Sequence, residues 1–360
     1  MCKRRILTKS IQMLYNLTKY SRPVLIFGAG VQGCRDEAVA FAEKLDIPVA
    51  LTWGAIDLLP SDHPLNLGGF GTHALRAPNF AVQNADLLIT IGTRLDTKAT
   101  GTPAETFARA ADIIMVDVDS HEIAKFAGRL TGVNVECMEF FAKSEIRLSP
   151  CIPWKARIAS WQARWPLPEG KPYRVIKTLS ETFREGDIIV SDTGHALAWM
   201  MQAFRFKKGQ RFIHAFNNTP MGYGLPAAIG AAFANPGKPI RLITGDGGLQ
   251  VNIQEFATVA HHKLPITVYL FNNHGHGMCR QSQNQWLDRK YPSTSPEGGL
   301  AIPDFKAIAA AYGVELMEFE IPFDAELTPC VQAGRPNEDA SPLLSREELS
   351  EQMVIPLWKG

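Results

Sequence analysis

Apolar residues in this 360-residue chain come in short continuous runs rather than in strict alternation with polar ones. Positions 24–27, 48–51, 87–91 and 113–116 are such runs, each bounded by glycine, proline or acidic residues. Runs of this length predict strands buried on both faces, as in parallel sheets. Between the first two, Ala38, Phe41, Ala42 and Leu45 recur at helical spacing and predict a helix over 37–45. The second half repeats the alternation, with strands predicted at 188–190, 212–213, 241–244, 266–271 and 314–319. The fold class is therefore α/β, with two doubly wound parallel-sheet domains expected over 1–146 and 173–360. Residues 147–172 read as a linker packed on the surface, because 148–172 holds five prolines and three tryptophans. Beyond 329 the chain reads as extended until a short helix at 346–353, and no solenoid-period repeat interrupts the pattern.

Composition narrows the function classes. Hydrophobic content of 46% with 20% charged residues is ordinary for a globular protein. A formal net charge of +1 gives no electrostatic reason to expect a nucleic-acid or membrane partner. The basic start Lys3-Arg4-Arg5 leads into a short apolar stretch broken by Lys9, which is not a secretory signal. No stretch approaches the roughly 18 apolar residues of a membrane span. The six cysteines are scattered without a CxxC pair, which favours reduced thiols and a cytoplasmic enzyme over a disulfide frame.

The chemistry concentrates near residue 250. Gly245-Asp246-Gly247-Gly248 closes one apolar run and Asn272-Asn273 closes the next, with Asp246 and Asn273 27 positions apart. Asn252 and Glu255 between them read as a capping box that opens a helix running to about His262. Strand, loop, helix and strand in that order form a βαβ unit, whose two strand ends emerge together at the ligand-binding edge of a parallel sheet. A carboxylate and an amide beside glycine N–H groups suit Mg²⁺ and a diphosphate that shares its shell. Either string alone reads as a tight turn or a helix cap; the pair at this spacing points to a cofactor.

The GDG…NN pattern resembles the thiamine diphosphate motif, and its flanks resemble the acetolactate synthase large-subunit family. The likeness is carried by the TPMGYGLPAAIG segment from Thr219 to Gly230, by Gly334-Arg335-Pro336 with the tail through Leu344, and by Ile91-Gly92-Thr93-Arg94-Leu95-Asp96 through Gly101. It covers nearly the whole chain and implies a middle Rossmann-like domain followed by a thiamine diphosphate-binding domain. It implies Asp246 and Asn273 as side-chain ligands of Mg²⁺, with the carbonyl of Gly275 as a third. It implies that Gly247 and Gly248 offer N–H groups to the diphosphate, where a Cβ would crowd it. Met221 would wedge under the cofactor and bend it, and the Thr219 carbonyl would hold the aminopyrimidine; the alternative for Met221 is core packing. His195 aligns with a glutamine that reaches the diphosphate, against the plainer reading of a surface histidine. Arg94, Asp117 and Gly68-Gly69-Phe70-Gly71 match segments that contact FAD, the alternative being an empty α/β domain.

Other features weigh less. Gly28, Gly30 and Gly33 fit GxGxxG, yet no carboxylate follows the second strand at 50–54, so NAD-dependent oxidoreduction is the runner-up class. His274 and His276, with His261 and His262, lack the closed ligand set that zinc requires and read better as loop residues. The family's selective tryptophan nine residues after the second asparagine is here Ser282, with Trp286 one helical turn on, which leaves the acceptor open.

The activity implied is decarboxylation of a 2-ketoacid such as pyruvate, then carboligation to a carbonyl acceptor. The family also uses a glutamate from an N-terminal pyrimidine-binding domain of a neighbouring subunit, and nothing in this chain aligns with it. A homo-oligomer or a partner chain supplying that domain is expected; a truncated, catalytically inactive cofactor-binding protein is the alternative.

Overall fold

The computed structural model of the protein describes residues 15–101, 106–126 and 130–325. The chain divides into two compact units at Leu167 and Pro168. In the first, β1 Pro23–Phe27, β2 Val49–Leu51, β3 Asn66–Gly69, β4 Leu87–Ile91, β5 Asp112–Asp117 and β6 Leu130–Asn134 form one parallel sheet. The strand order is β3-β2-β1-β4-β5-β6. β1 and β4 are buried at every position, which is why they read as unbroken apolar runs. The edge strands are different. β3 is Asn-Leu-Gly-Gly, half-buried throughout, and β6 ends on exposed Asn134, so the apolar pattern announces neither. The helix Arg35–Leu45 turns Ala38, Phe41, Ala42 and Leu45 inward, as their spacing requires.

The segment expected to be a linker is largely helical. Ile152–Arg164 forms a thirteen-residue helix with a proline in its first turn, a position that needs no N–H donor. Trp154, Ile158 and Trp161 are its buried face. Trp154 Nε1 donates to Pro23 O at 3.2 Å, and Trp161 meets Phe80 edge-on at 5.6 Å. This helix belongs to the first unit, anchored by its tryptophans.

In the second unit β7 Ile188–Ser191, β8 Arg211–His214, β9 Ile240–Gly245, β10 Ile266–Asn272 and β11 Glu315–Glu320 form a parallel sheet in the order β11-β10-β9-β7-β8. Val190, Leu242, Val268 and Leu270 pack with Leu225, Ala228, Phe256 and Phe305 from the surrounding helices. The register pairs Leu270 with Thr244 and Phe271 with Gly245. The two strands thus end level and deliver Asp246 and Asn273 side by side. The capping box at 252–255 is not formed. A helix starts directly at Asp246 and runs to Val251. Asn252 makes no side-chain cap, and its amide donates to Gly222 O at 2.6 Å instead. The chain kinks through a 3₁₀ turn, Ile253–Glu255, before the helix Phe256–His261.

No helix among the described residues is long and apolar enough to cross a membrane. The helix expected at 346–353 and the tail motif from Gly334 to Leu344 lie outside the described residues.

Candidate cofactor and metal site

Asp246 is buried and bridges the two strand-end turns. Its Oδ1 accepts from Gly247 N and its Oδ2 from Gly275 N, both at 2.8 Å. Burial pushes its carboxyl above the ordinary range, against these N–H groups and the Arg280 and His274 charges. Gly275 has φ +155°, and a Cβ there would meet Thr294 O at 2.3 Å, so this turn needs glycine. One terminal atom of the Asn273 amide lies 2.7 Å from Gly275 O and the other 3.1 Å from Arg280 Nη2. Without a cation, the nitrogen belongs toward Gly275 O and the oxygen toward the guanidinium. With the amide turned over, two oxygens stand 2.7 Å apart, near the oxygen–oxygen edge of about 2.9 Å that 2.0–2.1 Å bonds give in a Mg²⁺ octahedron. A carboxylate, an amide oxygen and a main-chain carbonyl are hard donors, and together they fit that ion. Among the described residues no three His, Cys, Asp or Glu side chains gather as a metal cluster. His274 pairs with Glu320 at 2.9 Å on the surface.

The glycines of the first turn make room for side chains. A Cβ on Gly247 would sit 2.4 Å from His276 Nδ1 and 3.3 Å from the Met221 methyl. One on Gly248 would sit 2.9 Å from Asp192 Oδ2. Met221 is 42% exposed, which argues against core packing. Its loop is held by Asp192, a buried carboxylate that the motif reading passed over. Asp192 accepts from Thr193 N at 2.7 Å and Gly224 N at 3.1 Å, with Gly222 and Tyr223 N–H groups also turned to it. Burial raises its pKa. Thr219 adopts φ +48° and its N–H donates to Ala215 O at 3.1 Å.

His195 is not a surface histidine: it is buried, with Nε2 2.9 Å from Gln281 Oε1. Arg280 is a second residue without a motif to flag it. Its buried guanidinium donates to Asn273 O at 3.1 Å and Phe323 O at 2.8 Å and stacks 3.8 Å from the Phe323 ring. Ser282 is exposed on the helix Gly277–Trp286, and its Oγ donates to Met278 O at 3.2 Å.

Residues 192–344 match the family described as thiamine pyrophosphate enzyme, C-terminal TPP binding domain, and residues 10–134 match the thiamine pyrophosphate enzyme central domain. The chain belongs to the thiamine pyrophosphate enzymes. It is 33% identical over 302 residues to the acetolactate synthase isozyme 1 large subunit of Escherichia coli, covering 82% of this chain and 53% of that protein. It is 31% identical over 325 residues to the acetolactate synthase large subunit of Lactococcus lactis, covering 86% of this chain and 55% of that protein. The chain thus spans about half the length of these curated relatives. In fold it is similar to a benzoylformate decarboxylase from Polynucleobacter necessarius, with a TM-score of 0.71 at 19% identity over 88% of this chain and 64% of that one.

The first unit, which carries the central-domain match, has the strand order of dinucleotide-binding folds, but its glycine turn is closed. Gly28 N donates to Ile91 O at 3.0 Å and Gly30 N to Gly92 O at 2.9 Å. A Cβ on Gly28 would meet Gly92 O at 2.3 Å. These glycines let two backbones touch, and their N–H groups are turned away from any pyrophosphate. β2 runs into Thr52 and Trp53 with no carboxylate, so NAD lacks both of its usual contacts. Arg94 stands half-exposed, 3.5 Å from Asp96. Asp117 ends β5, its pKa raised by burial. At the same strand edge Lys98 Nζ lies 4.8 Å over the Trp53 ring, and His73 packs 5.8 Å from it. Burial, then the Lys98 charge, lowers the His73 pKa to about 4.

Proposed function

We propose that the second unit binds Mg²⁺ and thiamine diphosphate and serves the decarboxylation of a 2-ketoacid, pyruvate, with carboligation to a carbonyl acceptor. Support comes first from Asp246 bridging the turns that carry Asn273 and Gly275, with amide and carbonyl placed to share a cation. When bound, thiamine diphosphate supplies the electron sink for losing CO₂. The chain's part is positioning and electrostatics. Asp246, Asn273 and Gly275 O would hold the metal; Gly247, Gly248 and His195 would face the diphosphate. Met221, on the loop held by Asp192, would pack against the cofactor, and the Thr219 carbonyl would accept a hydrogen bond from its amino group. A pyrimidine-binding module carrying the activating glutamate would complete the site. Exposed Ser282, in place of a tryptophan, leaves room for acceptors larger than a second pyruvate. FAD is assigned to the strand edge of the central domain around Arg94 and Asp117, and a yellow purified chain would support that part.

Thermal unfolding with millimolar Mg²⁺ and thiamine diphosphate tests the central claim. At 100 times its dissociation constant the ligand adds about 2.7 kcal/mol, a midpoint shift of a few degrees. Asp246→Ala should abolish the shift, and a wild-type chain that shows none would refute the reading.

A further inference from the structure

His276 Nδ1 is buried and meets no hydrogen-bond partner. The ring lies over Gly247, its Nδ1 2.4 Å and its Cε1 2.7 Å from the point a Cβ on that glycine would occupy, with the Met221 methyl alongside. Its main chain is fixed at both ends: His276 N donates to Thr294 O at 3.2 Å, and its carbonyl accepts from Arg280 N at 2.9 Å. The residue before it, Gly275, and the residue before Gly247, Asp246, are joined by a 2.8 Å hydrogen bond. A cation held by Asp246 and Gly275 carries its diphosphate in the same shell, beside the residues that follow each ligand. Those residues are Gly247 and His276.

We propose that His276 is a ligand of the cofactor's diphosphate, with Nδ1–H donating to a phosphate oxygen. This rests on the cofactor reading above and adds to it a polar contact that neither the motif nor the family match assigns. The donor is available in the neutral Nδ1–H tautomer as well as in the imidazolium. A plainer role, an aromatic spacer between Met221 and Gly247, differs in one respect: it needs the ring's volume but not its N–H.

Calorimetric titration of the full chain in millimolar Mg²⁺ separates the two roles, with thiamine diphosphate and inorganic pyrophosphate as probes. His276→Leu keeps apolar bulk and removes the donor; His276→Asn restores an N–H near the Nδ1 position. Loss of one hydrogen bond to a charged acceptor should weaken both probes about tenfold or more in His276→Leu, by the same factor for each. His276→Asn should recover most of that loss, and also decides the matter if the leucine variant does not fold. Equal affinity of His276→Leu and wild type for both probes overturns the proposal. So does weakening of thiamine diphosphate alone, since that places the ring against the thiamine half. A wild-type chain that binds neither probe removes the cofactor reading itself, and the proposal with it.

Discussion

Replacing Asp192 by alanine removes the carboxylate that ties the end of β7 to the Met221 loop. It accepts hydrogen bonds at 2.7 Å from Thr193 N and 3.1 Å from Gly224 N. A hydrogen bond to a charged acceptor is worth about 1.5–3 kcal/mol, so the gross loss is about 3–6 kcal/mol. Removing a buried charge returns part of this, as the raised pKa shows. The net destabilisation expected is about 2–4 kcal/mol for Asp192→Ala and roughly half that for Asp192→Asn, which keeps one acceptor. The sign with pH follows from the direction of the shift. The folded pKa lies above the unfolded one, so this group's favourable contribution is full below the unfolded value and falls as pH rises through the folded one. The gap between wild type and Asp192→Ala should therefore narrow as pH rises. Amide exchange reads each unit separately, and the N–H groups of 222–224 should lose protection first. An alanine variant within about 0.5 kcal/mol of wild type, with those amides still protected, would refute the reasoning.

Further outcomes can be checked on the same material. His73 has a folded pKa of about 4 against 6.5 for the free side chain, so the unfolded chain takes up the proton first as pH falls. Stability present above the unfolded value, at most about 3 kcal/mol, is lost on the way down. His73→Asn, which tolerates φ +62°, should flatten that part of the urea-midpoint profile. Trp154→Ala removes a buried indole and its bond to Pro23 O; urea unfolding should show the first unit weakened by about 3–5 kcal/mol. On the proposed function, Ser282→Trp should lower kcat/KM for bulky acceptors relative to pyruvate in an active preparation; an unchanged ratio would detach Ser282 from acceptor choice.

The sequence made most of the sheet legible because buried parallel strands announce themselves. Val24 to Phe27 and Leu87 to Ile91 have no solvent face, so their apolar runs are continuous. β3 and β6 lie at the sheet edges, where two glycines in one and Thr131, Gly132 and Asn134 in the other erase the signal. The helix Ile152–Arg164 was masked by Pro153 and by the flanking Pro150 and Pro166, although Trp154 and Trp161 stand two turns apart on one face. At the site, Asp246 and Asn273 were readable because spacing alone brings two adjacent strand ends together. Asp192 and Arg280 were not, since each works through neighbouring main-chain atoms, a role no motif records. The glycines after Asp246 were readable as needing to be small, but the side chains that require it, His276 and Asp192, come from segments far off in sequence.

The closed turn at Gly28 and Gly30 bears on redesign. Grafting an acidic residue after β2 would add the ribose contact of a dinucleotide enzyme, yet the turn's amides would still be committed to Ile91 O and Gly92 O. Freeing them means re-routing the loop after β4, whose Gly92 has φ +62° and lies with its Cβ direction 2.8 Å from the Gly30 Cα. The obstacle to converting this domain into a hydride-transfer module is thus a backbone-to-backbone seam, and point substitutions along the crevice leave that seam shut.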